Sequence, residues 1–324
     1  MASLVNKIVM LATVVVVATA VRAQTPTKPP TETRNAALRY WLAFADLQDP
    51  PADKSVAELL EKTAAGEVRW NEEKLGPILD QNETAIWRMQ RATKLPDCDW
   101  GLEYDLGPRA SIPYLAKARV LTRLNTLEGM RLAAKGDSQK AVDTWLAGIR
   151  FSQHLASGGS LIFALVATRG MTSNFHALTH AAEAGMLTGE ERREIQAAVN
   201  ALPETGVDWG QALWYEADPL NVAVKEMAEA SDPAAYYQGI MGRPAPEHLT
   251  VPSTAEVAAY HNLMAKAEEA LRLSPDAAAQ PLQALQQSTQ SLHPFFQELI
   301  PSLTRLNDSR RGVRDARQGL LQHL

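Results

Sequence analysis

Cysteine is nearly absent from this chain of 324 residues: Cys98 stands alone. An intrachain disulfide is therefore excluded, and stability has to come from apolar burial. Aromatic residues make up only 6%, and seven Trp are no enrichment on the scale of sugar-binding grooves. Positive charge is in the minority, with 32 Lys and Arg against 37 Asp and Glu and a net charge of −5. An acidic balance excludes the broad basic face that nucleic acid demands. Runs of alternating Val, Ile or Thr are missing too, so strands are not expected. The sequence holds no G-x-S-x-G elbow, P-loop, dinucleotide fingerprint or C-x-x-C-H haem site, and no cofactor is expected.

One long apolar run exists. Lys7 is followed by Ile8 to Val21, interrupted only by Thr13 and Thr19, and Val21-Arg22-Ala23 then sets small residues before Gln24. That is the pattern of a secretory signal peptide over residues 1–23. An uncleaved N-terminal membrane anchor is the alternative, although the run is short of the roughly 20 residues a span needs. Removing Lys7 and Arg22 from the 32 basic side chains leaves 30 against 37 acidic ones, a formal charge of −7. Export places the protein in the periplasm or outside the cell, with no stable membrane insertion after cleavage. Residues 24–30 are polar and Pro-rich and read as a disordered linker. Residues 31–324 then form a single all-helical domain.

Ala, Leu, Glu, Gln and Arg dominate, and apolar residues recur at helical spacing nearly throughout. From 31 to 47, Ala37, Leu38, Trp41, Leu42, Phe44 and Ala45 are spaced for one helical face. Ser55-Val56-Ala57-Glu58, Thr188-Gly189-Glu190-Glu191 and Ser253-Thr254-Ala255-Glu256 spell capping boxes. Asn71 caps a helix running to about residue 93, with Pro77 as its kink. Residues 111–182 read as three long helices. Val120, Leu124, Leu127, Met130 and Ala134 stripe the first. Ala141, Trp145, Gly148, Ile149, Ser152 and Leu155 stripe the second, and the turn at Lys135-Gly136-Asp137-Ser138 makes the two antiparallel. The third opens at Ser160 with Leu161 to Ala167, apolar all round, which marks a central helix. Residues 231–252 read as a surface connection, and the last helix, with Arg305, Arg310, Arg311, Arg314 and Arg317, as a solvated mixed-charge face. The predicted class is all-α: ten to twelve helices in stacked antiparallel hairpins, either solenoid-like or a curved bundle.

Ala134-Lys135-Gly136-Asp137-Ser138-Gln139-Lys140-Ala141-Val142, followed by Trp145 and Ile149, resembles the turn and second helix of a tetratricopeptide repeat over about 20 residues. It departs from that family at Gly148, where Ala is usual. Cys98-Asp99-Trp100-Gly101, Pro113-Tyr114-Leu115, the long hairpin and Leu161-Ile162 together are similar to a set of uncharacterised secreted helical proteins of environmental bacteria. That resemblance spans about Asn35 to Leu213 and implies a fold and an export route, with no activity attached.

Three clusters carry the candidate chemistry. His176 and His180 are an i, i+4 pair on one helix face, with Glu183 three residues on; this spacing can grip a metal, but Ala177 stands where a zinc protease has its glutamate. The same two rings also read as polar side chains on a helix flank. Asp97, Asp99, Glu103 and Asp105 set oxygen ligands at alternate positions, as calcium prefers. They also fit a loop whose aromatics, Trp100 and Tyr104, plug the bundle while its acids face water. Trp209, Trp214, Tyr215, Glu216 and Asp218 suit a sugar groove in which Glu216 or Asp218 is a general acid. They equally suit a helix with an aromatic core face and an acidic outer face. The leading expectation is a secreted or periplasmic scaffold that holds a protein or peptide partner of the cell envelope and has no catalytic chemistry of its own. The alternative is a carbohydrate-active helical enzyme using a carboxylate pair in a groove.

Overall fold

The computed structural model describes residues 33–324 apart from Ala52 and His248, together with all side chains in that span except those of Pro108 and Asp218. The expected signal peptide at 1–23 and linker at 24–30 lie outside the described residues. Residues 35–324 form one unit.

The all-α class holds: helices and short 3-10 turns carry the described residues, with one isolated bridge between Asn35 and Asp97 and no strand. We number the helices α1 (Ala36–Asp46), α2 (Lys54–Ala64), α3 (Glu72–Gln81), α4 (Glu83–Ala92), α5 (Leu115–Ala134), α6 (Ser138–Ala156) and α7 (Leu161–Glu183). After them come α8 (Gly189–Asn200), α9 (Trp209–Glu229), α10 (Pro233–Met241), α11 (Thr254–Leu271), α12 (Pro275–Ser288), α13 (Pro294–Leu299) and α14 (Leu303–His323). Helix α7 is central, packing on α6, α14, α5 and α9. A solenoid would restrict each helix to its sequence neighbours. Here the C-terminal α14 folds back onto α7, and α1 pairs with α4, so the architecture is the bundle.

Local signals set most helix ends. Gly136 turns the α5–α6 hairpin at φ 81°, and Asp137 caps α6 by accepting the Lys140 amide. Thr188 and Ser253 both form complete capping boxes, with Glu191 and Glu256. The third box does not form. Asp53 takes the amides of Ser55 and Val56, so α2 starts two residues earlier than Ser55 implies, and Glu58 pairs with Lys62 at 2.7 Å. An ionised carboxylate is a strong amide acceptor, and Asp53 precedes Ser55 in the chain.

The helix from Asn71 to 93 breaks at Asn82 and continues through Pro77. Asn82 is 1% exposed; its amide donates to Ile78 O and its carbonyl accepts Gln48 N–H. Asn307 is also buried, donating to Pro275 O. Asn82-Glu83-Thr84 and Asn307-Asp308-Ser309 spell glycosylation sequons, and the burial of both asparagines closes them in the folded chain.

Two helical faces differ from the sequence reading. In α1 the buried face is Ala36, Ala37, Tyr40, Ala43 and Phe44, which leaves Leu38, Trp41 and Leu42 exposed. Tyr40 decides the rotation, because it reaches the loop after α4 and stacks on Trp100 at 5.5 Å. In α14, Arg310 is not solvated. It is 1% exposed and donates to Asn307 Oδ1 and to Leu273 O.

Helices α5, α6 and α7 meet through small residues. A Cβ on Gly148 would lie 2.7 Å from the Asn125 amide and 2.8 Å from that of Asn174. A Cβ on Gly170 would lie 2.7 Å from Ser152 Oγ. The seam is polar and satisfied: Asn125 donates to Thr144 O, Asn174 donates to Gly170 O, and Trp145 Nε1 donates to Thr126 O. Buried amides that are fully hydrogen-bonded fix one register between three helices.

Candidate functional site

A helix that is apolar all round should be covered all round. Helix α7 is not. Ile162, Leu165 and Val166 at its start, Arg169 midway, and Thr172, Ser173 and His176 further on line an open groove of about 620 Å³. Their offsets from Ile162 are 0, 3, 4, 7, 10, 11 and 14, a single stripe about 21 Å long at 1.5 Å per residue. One wall is α5, through Arg119, Thr122, Arg123 and Thr126, again at 0, 3, 4 and 7. The other is α14, through Ser309, Gly312 and Val313, and the end of α2 closes the groove with Glu61, Ala64 and Ala65.

The electrostatics of this groove oppose those of the whole molecule. Arg123 pairs with Glu61 at 2.5 Å. Among the described residues, no carboxylate pairs with Arg119 or Arg169, and Glu61 is the sole acid in the lining. Burial lowers the Arg123 pKa; Glu61 opposes that, and the charges of Arg169 and Arg119 add to the lowering. Desolvation and the nearby His180 lower the pKa of His176, which is neutral at pH 7. Two positive charges therefore stand uncompensated over an apolar floor.

The candidate residues from the sequence fall elsewhere or serve structure. Helix α9 spreads Trp209, Trp214, Tyr215 and Glu216 over several faces. Trp209 is core and donates to Thr205 O, Trp214 is 54% exposed, and Tyr215 stacks on Tyr104 at 5.3 Å. Glu216 accepts the Leu161 amide at 3.2 Å, so it holds the N-terminus of α7, which Ser160 leaves uncapped by its own side chain. Burial raises the Glu216 pKa, and that hydrogen bond opposes the rise. The backbone of Asp218 is within α9, and its side chain lies outside the described residues. A second cavity of about 290 Å³, between the end of α6 and the start of α9, is lined by Gly159, Pro203, Gln211 and Tyr215, with Asp208 as its carboxylate. Asp208 already accepts the Gln211 amide as the cap of α9.

His176 and His180 separate in role. His176 lines the large groove, whereas His180 lies 3.6 Å from Glu183, which also faces His323 of α14 at 3.3 Å. Among the described residues, no group of three or more His, Cys, Asp or Glu is placed to hold a metal ion. In the acidic loop, Asp97 and Asp99 are exposed. The loop backbone is tied to Asn35, which donates to Asp99 O and accepts Asp99 N–H, and Asp99 Oδ1 accepts the Gly101 amide. Trp100 is the plug: it stacks on Tyr114 at 4.4 Å and donates from Nε1 to His154 O. Burial pushes the half-buried Cys98 thiol up to about 12, the opposite of what a nucleophile needs.

Read singly along the sequence, Arg119, Arg123 and Arg169 are ordinary helix residues, and nothing in their spacing joins α5 to α7. The usable signal was the break in α7, where Arg169, Thr172, Ser173 and His176 follow an all-apolar start at helical spacing. Comparison of the chain with protein-family models, with curated proteins and with solved structures yields no match. Among the described residues, no helix is long and apolar enough to cross a membrane.

Proposed function

We propose that this protein is an exported helical scaffold that binds a protein or peptide partner of the cell envelope and carries no chemistry of its own. One observation supports the reading above others: the central helix of the bundle leaves a continuous stripe open over about 21 Å, in a groove walled by helices on both sides. Ile162 is 44% exposed, and Leu165 and Val166 beside it are partly exposed, which leaves a run of apolar surface for a partner to cover. Concave helical surfaces of this kind take helices or extended chain. The N-terminal pattern of residues 1–23 supports export.

The test is a photo-cross-linking residue at Ile162 or Thr172 in cells, with Gly239, which faces open space, as control. A discrete adduct from the groove and none from the control is the expected result. No adduct from either groove position removes the proposal. The carbohydrate-enzyme alternative rests on one observation, the raised proton affinity of Glu216 beside Tyr215 and Tyr104. It requires turnover of some member of a glycan panel and loss of that turnover in Glu216→Gln; an inert wild type sets it aside.

A further inference from the structure

Arg119 and Arg123 are four residues apart on α5, and Arg169 lines the same groove from α7. Like charges at that spacing repel and weaken a helix. The fold supplies one counter-charge, Glu61, and spends it on Arg123. Arg131, by contrast, meets Asp80 and Glu72, and Arg314 meets Asp276 and Asp315; what sets the groove apart is three arginines lining one trough with a single acid. Several guanidinium groups lining one groove with a single acid suit the recognition of external carboxylates, often through paired N–H···O bonds.

The rest of the groove narrows the choice of anion. Ile162, Leu165 and Val166 form an apolar floor beside the arginines, so a small inorganic ion would leave them bare. Thr172 and Ser173 add partly exposed hydroxyls along the same trough, which suits a chain with polar groups better than an acyl tail. Among the described residues no Phe, Tyr or Trp lines the groove, so the broad stacking platform that bases use is missing. The net charge of −5 repels an anionic membrane or nucleic acid at longer range.

Resting on the partner-binding reading above, we infer that the segment filling this groove is an acidic amphipathic helix. It sets carboxylates against Arg119, Arg123 and Arg169, and an apolar stripe against Ile162, Leu165 and Val166. The 21 Å floor matches a helix of about 14 residues. Apolar anchors at i, i+3 and i+4 with acids beside them would fill floor and walls together. Charge complementarity is what selects this occupant over others.

The experiment uses the full chain to select from a displayed library of random peptides of about 15 residues. Bound sequences should be enriched in Asp and Glu interleaved with Leu, Ile or Met at helical spacing. Arg119→Gln with Arg169→Gln should weaken each selected peptide by about tenfold or more. Both arginines are exposed, so the variant should keep the wild-type thermal unfolding curve. Arg169→Glu should restore binding to a selected peptide whose matching glutamate is changed to lysine, an outcome that a merely structural role for Arg169 would not produce.

Enrichment without acids, or binding indifferent to both arginine variants, overturns the inference and leaves partner binding in place. An empty selection also overturns it, and if no Ile162 photo-cross-link forms either, the binding reading falls with it. Phosphatidylglycerol vesicles that bind the wild type and not the arginine variant would reassign the groove to an anionic lipid. Self-association abolished by the arginine variant would reassign it to a second copy of the chain; either reassignment overturns the inference.

Discussion

Gly148→Ala puts a single methyl group where three helices meet. In an exposed helix interior that change stabilises by about 1 kcal/mol. Here the new Cβ would sit 2.7 Å from the Asn125 amide nitrogen and 2.8 Å from both polar atoms of Asn174. One or both side chains must move. Four bonds are at stake: Asn125 to Thr144 O at 2.8 Å, Gln90 to Asn125 at 3.0 Å, Asn174 to Gly170 O at 2.8 Å, and Thr126 to Asn174 at 3.3 Å. Asn125 and Asn174 are fully buried, so each broken bond leaves a polar group without water and costs about 1 to 3 kcal/mol. Losing two of these bonds, less the helix gain, predicts a net destabilisation of about 1 to 5 kcal/mol.

Urea unfolding measures this directly, with an unchanged slope showing that the folded and unfolded states keep their exposure. Gly319→Ala in α14, where a Cβ meets nothing within 4 Å, is the control and should gain about 0.5 to 1 kcal/mol. The double variant with Asn174→Ala should be less destabilised than the sum of the singles. A Gly148→Ala protein as stable as the wild type would show that the asparagine pair does not press on this helix face. It would also reopen the tetratricopeptide-like position, where alanine is the usual residue, as an ordinary one.

Burial and then Arg150 lower the His154 pKa from 6.5 to about 4, and Tyr40 Oη lies 2.7 Å from its Nδ1. Between those two values the unfolded chain binds more protons than the folded one, so the stability this neutral ring contributes is complete above pH 6.5 and is lost as the pH falls toward 4. Allowing for a partly solvated ring, the loss is about 1 to 2 kcal/mol, and His154→Gln should flatten the stability–pH curve in that window. Arg310→Ala should cost about 2 to 4 kcal/mol in equilibrium unfolding, because Leu273 O and Asn307 lose a buried charged donor; a change under about 0.5 kcal/mol, the size of an ordinary surface substitution, would return Arg310 to the solvated face. Thr188→Ala opens the capping box of α8 and should cost about 1 kcal/mol, read by thermal unfolding.

Most of the architecture was written locally. Helical spacing decided the all-α class, Gly136 and Asp137 decided the α5–α6 hairpin, and Thr188 and Ser253 placed their helix starts, since each of these depends on residues within four positions of one another. The aromatic plug at Trp100 and the exposed acids beside it were also legible. Tertiary structure decided what spacing cannot carry. Which side of α1 is buried depends on Tyr40 meeting Trp100, sixty residues later, and on His154 beyond that. Arg310 is buried because the last helix returns to the end of α11. Arg119, Arg123 and Arg169 become a site only when α5 and α7 lie side by side with α14 as the opposite wall. A helix specifies its own face by period, but the charge and shape of a groove are sums over helices whose packing the period does not contain.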